Sequence, residues 1–309
     1  MTTIGKIDVF DETQESWETY VERVQHFFAA NDVDDNHQVP TLLSLIGSKT
    51  YSLLKDLLLP EKPADKNFDE ILDTYAEVFQ DKLGTFKSAK ARITLKEGSQ
   101  PQFRRARQVP YSLRPKVEEE LKRLQNEGIL SKVEWSDWAT PIVPVPKQDG
   151  SVRICGDFKG TINPTLQAEQ YPLPRIEDIF AHLAGGKTFS KIDLRQAYHQ
   201  IELDEESKKY LTINTYMGLF QYNRLVFGIT SAPAIWQRTL DQILEGTSST
   251  SCILDDMIVT GKIDAEHMAN LDEVLRRLHH HGLRANKSKC EFFKEKITFC
   301  GHDINSEGL

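Results

Sequence analysis

The sequence predicts an α+β fold with a largely antiparallel sheet, preceded by a small all-helical unit. Short apolar, β-branched segments recur after residue 127, several joined by hairpin turns, and segments with a helical apolar stripe lie between them. The chain has 309 residues, enough for two domains, and its 39% hydrophobic and 27% charged content is ordinary for a soluble protein.

Residues 1–72 are predicted to form the helical unit. In SWETYVERVQHFFAA, residues 16–30, apolar side chains recur with helical spacing, and Ser16 stands at the N-cap position. VPTLLSLIGSKTYSLLKDLLLP, residues 39–60, predicts two further short helices with a break near Gly47. No nucleophile pair and no metal-ligand spacing occurs in these 72 residues, which indicates a packing or assembly module.

Residues 73–126 are predicted to be a basic linker followed by a helix. Residues 82–123 hold 12 basic and 4 acidic side chains, whereas residues 1–72 hold 6 basic and 14 acidic ones. Concentrated positive charge attracts phosphate backbones, but on charge alone a solvated stretch is the better interpretation. Pro115 suits the first turn of the helix, which Gly128 ends.

Residues 127–309 alternate between strand and helix patterns. Predicted strands are PIVPVP and SVRICGDF joined by an Asp-Gly turn, KTFSKIDL, HQIELD, YLTINTY and LFQYNRLVF around Gly218, the SCILDDMIVTG hairpin, and a last strand in EKITFCGHDI. Predicted helices are RIEDIFAHLAGG, SAPAIWQRTLDQILEG with Ser231 as its cap, and DAEHMANLDEVLRRLHHHG. The consecutive histidines 279–281 predict a polar helix end, because neighbouring helical positions point in different directions.

Two adjacent aspartates, Asp255 and Asp256, interrupt the apolar hairpin at residues 251–261. Ionised carboxylates in an apolar setting are costly unless something compensates them, and Mg²⁺ does so while leaving positions for phosphate. Asp193 ends the KTFSKIDL strand. If that strand pairs beside the hairpin, three carboxylates meet and can hold two cations about 4 Å apart. Taken alone, the Asp-Asp pair favours the simpler interpretation of a turn.

The remaining sequence features predict the cellular setting. No run of about 18 apolar residues occurs, and the N-terminus lacks the blocks of a signal peptide. No C-x-x-C pair is present, so we expect free thiols and a cytoplasmic protein, with the nucleus as an alternative. The cysteines are Cys155, Cys252, Cys290 and Cys300.

Three motifs, in this order and spacing, resemble the reverse transcriptase of gypsy-class LTR retrotransposons. They are KIDLRQAYHQI, LVFGITSAPAIWQ and ILDDMIVTG. SDWATPIVPVPKQDGSVRICGDFK and FCGHDINSEGL extend the resemblance to roughly residues 73–309, and residues 1–72 resemble the capsid-type gag region of the same elements. The resemblance implies a right-hand polymerase with its fingers and palm in residues 127–309, and virus-like particles as a further location.

The same resemblance implies roles for individual residues. Asp193, Asp255 and Asp256 would be catalytic and would hold two Mg²⁺ ions, with Mn²⁺ as the alternative. Nucleotide-binding residues would be Arg153 and Lys147 on the phosphates, Tyr198 at the sugar 2′ position and Phe227 in the pocket. Gly301 and His302 would form the primer grip. The implied partners are an RNA or DNA template-primer, dNTP, and a second copy through residues 1–72.

Several departures from the family pattern leave two functions open. Ile253 stands where relatives have a tyrosine facing the primer end, so we expect metal ligation to persist and primer positioning to weaken. No zinc knuckle and no Asp-Ser/Thr-Gly occurs, and Leu309 precedes the expected thumb, RNase H and integrase, which suggests a truncated polyprotein. The alternatives are an RNA-directed DNA polymerase and an inactive relic that binds nucleic acid or assembles like gag. An integrase-type nuclease is disfavoured because no matching Asp, Asp, Glu series is found.

Overall fold

The computed structural model separates into two compact units, Met1–Lys66 and Asn67–Leu309. The boundary lies before the one expected at residue 72, because helix α2 (Phe68–Thr74) packs in the second unit. Ile71 is buried in the core of that unit, and the ring of Phe68 lies 5.1 Å from that of Phe292. The structure describes residues 7–10, 15, 17–31, 33, 41–42, 45–46, 68–167 and 169–306.

The first unit contains the predicted amphipathic helix, α1 (Trp17–Ala30). Tyr20, Val24 and Phe28, spaced four residues apart, are buried on one side of the helix and form a cluster with Ile46. The Tyr20 hydroxyl donates to the Leu45 carbonyl at 3.1 Å. The Ser16 cap and the break near Gly47 lie outside the described residues, as does most of the 39–60 segment.

The second unit is α+β, as predicted. Its other helices are α3 (Arg114–Asn126), α4 (Ile176–Leu183), α5 (Glu205–Tyr210), α6 (Ala232–Leu244) and α7 (Asp264–His281). Its strands are β1 (Leu130–Val133), β2 (Thr140–Pro146), β3 (Val152–Gly156), β4 (Thr188–Asp193), β5 (Thr212–Thr215), β6 (Gly218–Tyr222), β7 (Thr250–Ile253), β8 (Asp256–Gly261), β9 (Glu291–Lys294), β10 (Ile297–Phe299) and β11 (His302–Ile304).

The strands form three sheets among the described residues. A five-stranded sheet has the order β1-β6-β5-β2-β3, in which only β2 and β5 pair in parallel. A four-stranded antiparallel sheet has the order β7-β8-β4-β9, and β10 pairs with β11. The hairpins predicted around the Asp-Gly turn, Gly218 and the aspartate pair are therefore confirmed.

The four-stranded sheet is covered on both faces, which explains the continuous apolar run in β8. Met257 and Val259 join the large core together with helices α6 and α7, whereas Ile258 joins a second cluster on the opposite face. That second cluster contains Ile179 and Leu183 of α4 and residues of the β10–β11 hairpin. A strand buried on both faces needs apolar side chains at every position rather than at alternate ones.

Three local predictions are wrong. HQIELD is not a strand: residues 197–200 form a 3₁₀ turn after Gln196, whose φ of 45° is left-handed. The strand predicted through residue 227 ends at Tyr222, because the following backbone pairs with residues 201–203. EKITFCGHDI forms a hairpin rather than one strand, with a left-handed turn at residues 300 and 301. Strands β1 and β9 and helix α5 were not predicted.

Other features agree with the sequence patterns. Helix α7 ends at the histidine run, and Gly282 follows it in the left-handed conformation. The four cysteines are free thiols. Among the described helices, none combines the length and hydropathy required to cross a bilayer.

His267 makes stability pH-dependent. Its side chain is fully buried, with Nε2 2.8 Å from Ser190 Oγ, and burial lowers its pKa to about 4. Because this pKa is below the unfolded value near 6.5, His267 favours folding above pH 6.5 and loses that contribution as the pH falls toward 4. At pH 5 the free energy of unfolding has fallen by about 2 kcal/mol through this residue.

We expect His267→Gln to show a smaller drop in unfolding free energy between pH 7 and pH 5 than the natural chain. Urea titrations at the two pH values measure this, and an equal drop in the natural chain and in His267→Gln would contradict the role given to His267.

Candidate active site

The antiparallel pairing of β4 with β8 brings Asp193 to the tip of the aspartate hairpin. Asp193 lies directly opposite Asp256 in the strand register. The neighbouring Leu194 N–H donates to the Asp255 carbonyl at 3.2 Å. Side chains far apart in sequence thus meet at the end of one sheet, where the sequence analysis expected them.

A cavity of about 480 Å³ lies between this sheet end and the five-stranded sheet. Asp193 and Asp255 line one wall of the cavity, and several basic side chains, among them Lys147, Arg153 and Lys289, line it together with apolar and neutral polar residues. Positive charge beside a carboxylate pair suits a ligand that carries both a metal cation and phosphate groups. The lining residues are Glu120, Arg123, Leu124, Lys147, Arg153, Ile154, Asp193, Leu194, Arg195, Gln196, Ala197, His199, Tyr222, Val226, Phe227, Asp255, Asn286 and Lys289.

The negative charges of Asp193 and Asp255 are only partly compensated by nearby positive charge. Burial raises the pKa of Asp255 above its ordinary range, and the charges of Asp193 and Asp256 raise it further. Burial also raises the pKa of Asp193, against the opposing effect of Lys289, whose Nζ lies 3.9 Å from Oδ2. Asp255 Oδ1 is buried and has no hydrogen-bond partner in the described part of the chain. A buried, unpartnered carboxylate oxygen beside a second carboxylate is a donor set that fits a hard divalent cation.

Asp256 is placed differently from the other two aspartates. Its Oδ1 lies 3.3 Å from Lys191 Nζ, and it is absent from the cavity lining. Within the described ranges, no three His, Cys, Asp or Glu side chains are grouped closely enough to hold a metal ion. The structure therefore brings two of the three predicted carboxylates together on the cavity, and the third forms an ion pair beside it.

Three of the four residues predicted to bind nucleotide line the same cavity. Lys147 and Arg153 lie on the β2–β3 hairpin and line it, as does Phe227, which is 37% exposed. Tyr198 is only 6% exposed and lies behind Phe227, with ring centroids 4.4 Å apart. Burial and the charge of Asp255 raise the pKa of Tyr198 to about 12, so the phenol stays protonated at neutral pH.

The predicted primer-grip residues lie outside the cavity. Gly301 is in the β10–β11 turn and His302 begins β11, where its ring lies 5.5 Å from that of Phe180. The hairpin is joined to the four-stranded sheet through the second cluster, because Phe299 and Ile304 pack there with Phe189 of β4.

Sequence reasoning missed several cavity residues. Arg123 looked like an ordinary charge on an exposed helix face, and it does pair with Glu120 and Glu127 at 2.7 and 2.6 Å. Lys289 is the last residue of a 3₁₀ turn that no pattern predicted. The motif AYHQ was noted, but His199 was given no role; burial lowers its pKa to about 4, and its ring stacks 6.4 Å from that of Tyr222.

Comparison with known proteins agrees with this geometry. The sequence model of the family described as reverse transcriptase (RNA-dependent DNA polymerase) matches residues 145–304, just over half of the chain. The uncharacterized protein K02A2.6 of Caenorhabditis elegans is 41% identical over 229 residues, which are 74% of this chain and 18% of that protein. The retrovirus-related Pol polyprotein from transposon 412 of Drosophila melanogaster is 28% identical over 287 residues, 89% of this chain and 22% of the polyprotein.

The chain therefore spans about a fifth of the length of these two relatives. A solved structure, the foamy viral protease-reverse transcriptase dRH in complex with double-stranded DNA, has the same fold with a TM-score of 0.71. It is 24% identical, and the match covers 80% of this chain and 44% of that one. The family match, together with the carboxylate pair on its basic cavity, shows that this chain belongs to the reverse transcriptase family.

Proposed function

We propose that the second unit performs RNA-directed DNA synthesis as the reverse transcriptase of a gypsy-class LTR retrotransposon. One observation supports this most directly: Asp193 and Asp255 meet on a cavity whose other surfaces carry Lys147 and Arg153. Nucleotidyl transfer needs both halves of this arrangement, carboxylates for cations and basic groups for phosphates.

In the proposed reaction the primer 3′-hydroxyl attacks the α-phosphorus of a deoxynucleoside triphosphate. A new phosphorus–oxygen bond forms, the bond to the oxygen that bridges the α and β phosphates breaks, pyrophosphate leaves and the hydroxyl loses its proton. Asp193 and Asp255 would hold two Mg²⁺ ions, or Mn²⁺, and Asp256 is the proposed third ligand because it lies opposite Asp193. Bound divalent cations would activate the hydroxyl and stabilise the leaving pyrophosphate.

The other cavity residues would bind and orient the nucleotide. Arg153 and Lys147 would contact the triphosphate, where the planar guanidinium suits paired phosphate oxygens. Phe227 would contact the sugar, and Tyr198, packed 4.4 Å behind it, would limit the room near the 2′ position. The proposed substrate preference is therefore dNTP over the corresponding ribonucleotide.

The proposal also covers contacts with the template-primer and the role of residues 1–72. Gly301 and His302 would contact the primer strand; the structurally similar foamy viral protein was solved with double-stranded DNA. Residues 1–72 are proposed to be a capsid-type gag remnant that self-associates; the described part of this unit has its own small apolar cluster around α1, as a separate helical module requires. The proposed location is the cytoplasm or virus-like particles, with the nucleus as an alternative.

A second candidate function is nucleic-acid binding without synthesis. Ile253 has no hydroxyl to offer the primer end, and it packs against the second cluster with Phe180 and Cys300. Arg104 and Arg105 are exposed on the basic linker and could still bind a phosphate backbone. This candidate would describe an inactive relic of the same fold.

The carboxylate pair predicts a metal-dependent stability. The raised pKa values of Asp193 and Asp255 mean that the ionised forms disfavour folding at pH 7 when no metal is bound. We expect Asp255→Asn to raise the metal-free melting temperature by about 2–4 °C. Millimolar Mg²⁺ should stabilise the natural chain more than the variant. Asp303→Asn, which removes an exposed partner of Lys296, is the control. An equal Mg²⁺ response in the natural chain and Asp255→Asn would contradict metal ligation.

The catalytic assignment predicts the loss of primer extension. Asp193→Asn and Asp255→Asn should each reduce magnesium-dependent extension of an RNA-templated DNA primer at least about 100-fold, equivalent to about 2.7 kcal/mol of transition-state stabilisation. Glu205→Gln, which removes an exposed partner of Lys208 on helix α5, should extend at the natural rate. Extension that persists in Asp255→Asn would refute the roles given to the aspartates.

Substitutions of Ile253 distinguish the two candidate functions, DNA synthesis and nucleic-acid binding without synthesis. Ile253→Tyr should raise primer extension about 10-fold, since a hydroxyl worth about 1.4 kcal/mol at the primer end improves alignment. Ile253→Phe supplies the ring without the hydroxyl and should give no increase. Extension detected only after Ile253→Tyr would show that the natural chain is the inactive relic. Equal rates in all three proteins would show that Ile253 does not limit the reaction.

A further inference from the structure

Two neighbouring side chains of helix α6 hold the backbone of the turn that carries Asp255. We propose that Gln237, assisted by Trp236, is a positioning residue that fixes Leu254 in a left-handed conformation and thereby sets the affinity of the adjacent carboxylate for a divalent cation. This inference rests on the proposed metal-binding role of Asp255.

Leu254 requires such a constraint. Its φ is +51°, in the left-handed region, which costs a residue with a Cβ roughly 1 kcal/mol or more. Leucine has no polar side chain that could stabilise this conformation locally, as asparagine or aspartate does. The conformation must therefore be maintained by contacts from outside the turn.

Those contacts satisfy both backbone groups of Leu254. Its N–H donates to Gln237 Oε1 at 2.9 Å, and its carbonyl accepts from Trp236 Nε1 at 2.8 Å. Both side chains are fully buried. A buried backbone group that lost its partner would carry a desolvation cost of about 1–3 kcal/mol, so the two bonds favour the observed turn.

The amide of Gln237 is itself fixed in orientation. Its Nε2 donates to the Cys252 carbonyl at 3.1 Å and to Asp241 Oδ1 at 2.9 Å. Asp241 also accepts from the Tyr171 hydroxyl at 2.6 Å. Rotating the amide would exchange its oxygen and nitrogen and break its bonds to Leu254, Cys252 and Asp241, so the acceptor stays directed at the Leu254 N–H.

The constraint acts on the metal site because Leu254 directly precedes Asp255. The turn is held on one side by helix α6 and on the other by the bond from Leu194 N–H to the Asp255 carbonyl. With both attachments, the unpartnered Oδ1 of Asp255 stays beside Asp193. Residues that orient metal ligands without touching the metal commonly change affinity by about 10–100-fold.

The test uses Gln237→Met, which keeps the side-chain length and removes both the acceptor and the donor. In the full-length chain without metal, we expect faster hydrogen exchange of the Leu254 amide, measured by NMR. The affinity for Mn²⁺, measured by electron paramagnetic resonance, should fall about 10-fold. Thr239→Val is the matched control, because it removes a buried hydroxyl from the same helix; among the described residues this hydroxyl donates only to the Ile235 carbonyl.

A rescue variant distinguishes positioning from a general loss of stability. Glycine adopts φ of +51° without cost, so Leu254→Gly added to Gln237→Met should recover Mn²⁺ affinity to within about 3-fold of the natural chain. Unchanged Leu254 exchange in Gln237→Met, or an equal affinity loss in Thr239→Val, would overturn the inference. If the natural chain bound no Mn²⁺, both the proposed metal role of Asp255 and the affinity effect inferred for Gln237 would be wrong. The hydrogen-exchange comparison would still decide whether Gln237 holds the turn at Leu254.

Discussion

The antiparallel pairing of β4 with β8 is the interaction on which the site depends. Its register sets Asp193 opposite Asp256, and the turn before β8 places Asp255 at the same sheet end. A slip of one residue would turn every side chain of β4 to the other face and separate the carboxylates. Because apolar residues of β8 are buried on both faces of the sheet, any such slip would also disrupt two clusters.

The same pairing concentrates negative charge, and the structure compensates it only in part. Lys289 and Lys191 each reach one aspartate, whereas Asp255 Oδ1 has no hydrogen-bond partner among the residues that the structure describes. Stability without metal and the proposed metal binding therefore oppose each other at this sheet end. Carboxylates that disfavour the metal-free fold are the ones best arranged to gain from a cation.

Helix α6 links the two parts of the cavity. Trp236 and Gln237 hold the turn at Leu254, and the ring of Trp236 also packs against Tyr198, which supports Phe227. A substitution in this helix would therefore affect both the carboxylates and the part of the cavity wall formed by Phe227. This arrangement was not visible in the sequence, where SAPAIWQRTLDQILEG predicted a helix capped by Ser231 and SAPAIWQ formed part of a family motif.

The sequence by itself determined the fold class and most hairpins and helices, because apolar periodicity and turn residues are local signals. The order of its motifs also singled out Asp193, Asp255 and Asp256 as candidate site residues. The sequence did not predict that the 3₁₀ turn after Gln196 extends into HQIELD, nor the β10–β11 hairpin, nor the ion pair of Asp256 with Lys191. Lys289, Arg123 and the bonds to Leu254 also needed the tertiary structure. Lys289 pairs with Asp193, and Leu254 bonds to Trp236 and Gln237, on other elements of the fold. A contact between distant segments depends on strand register and packing, which no single segment encodes.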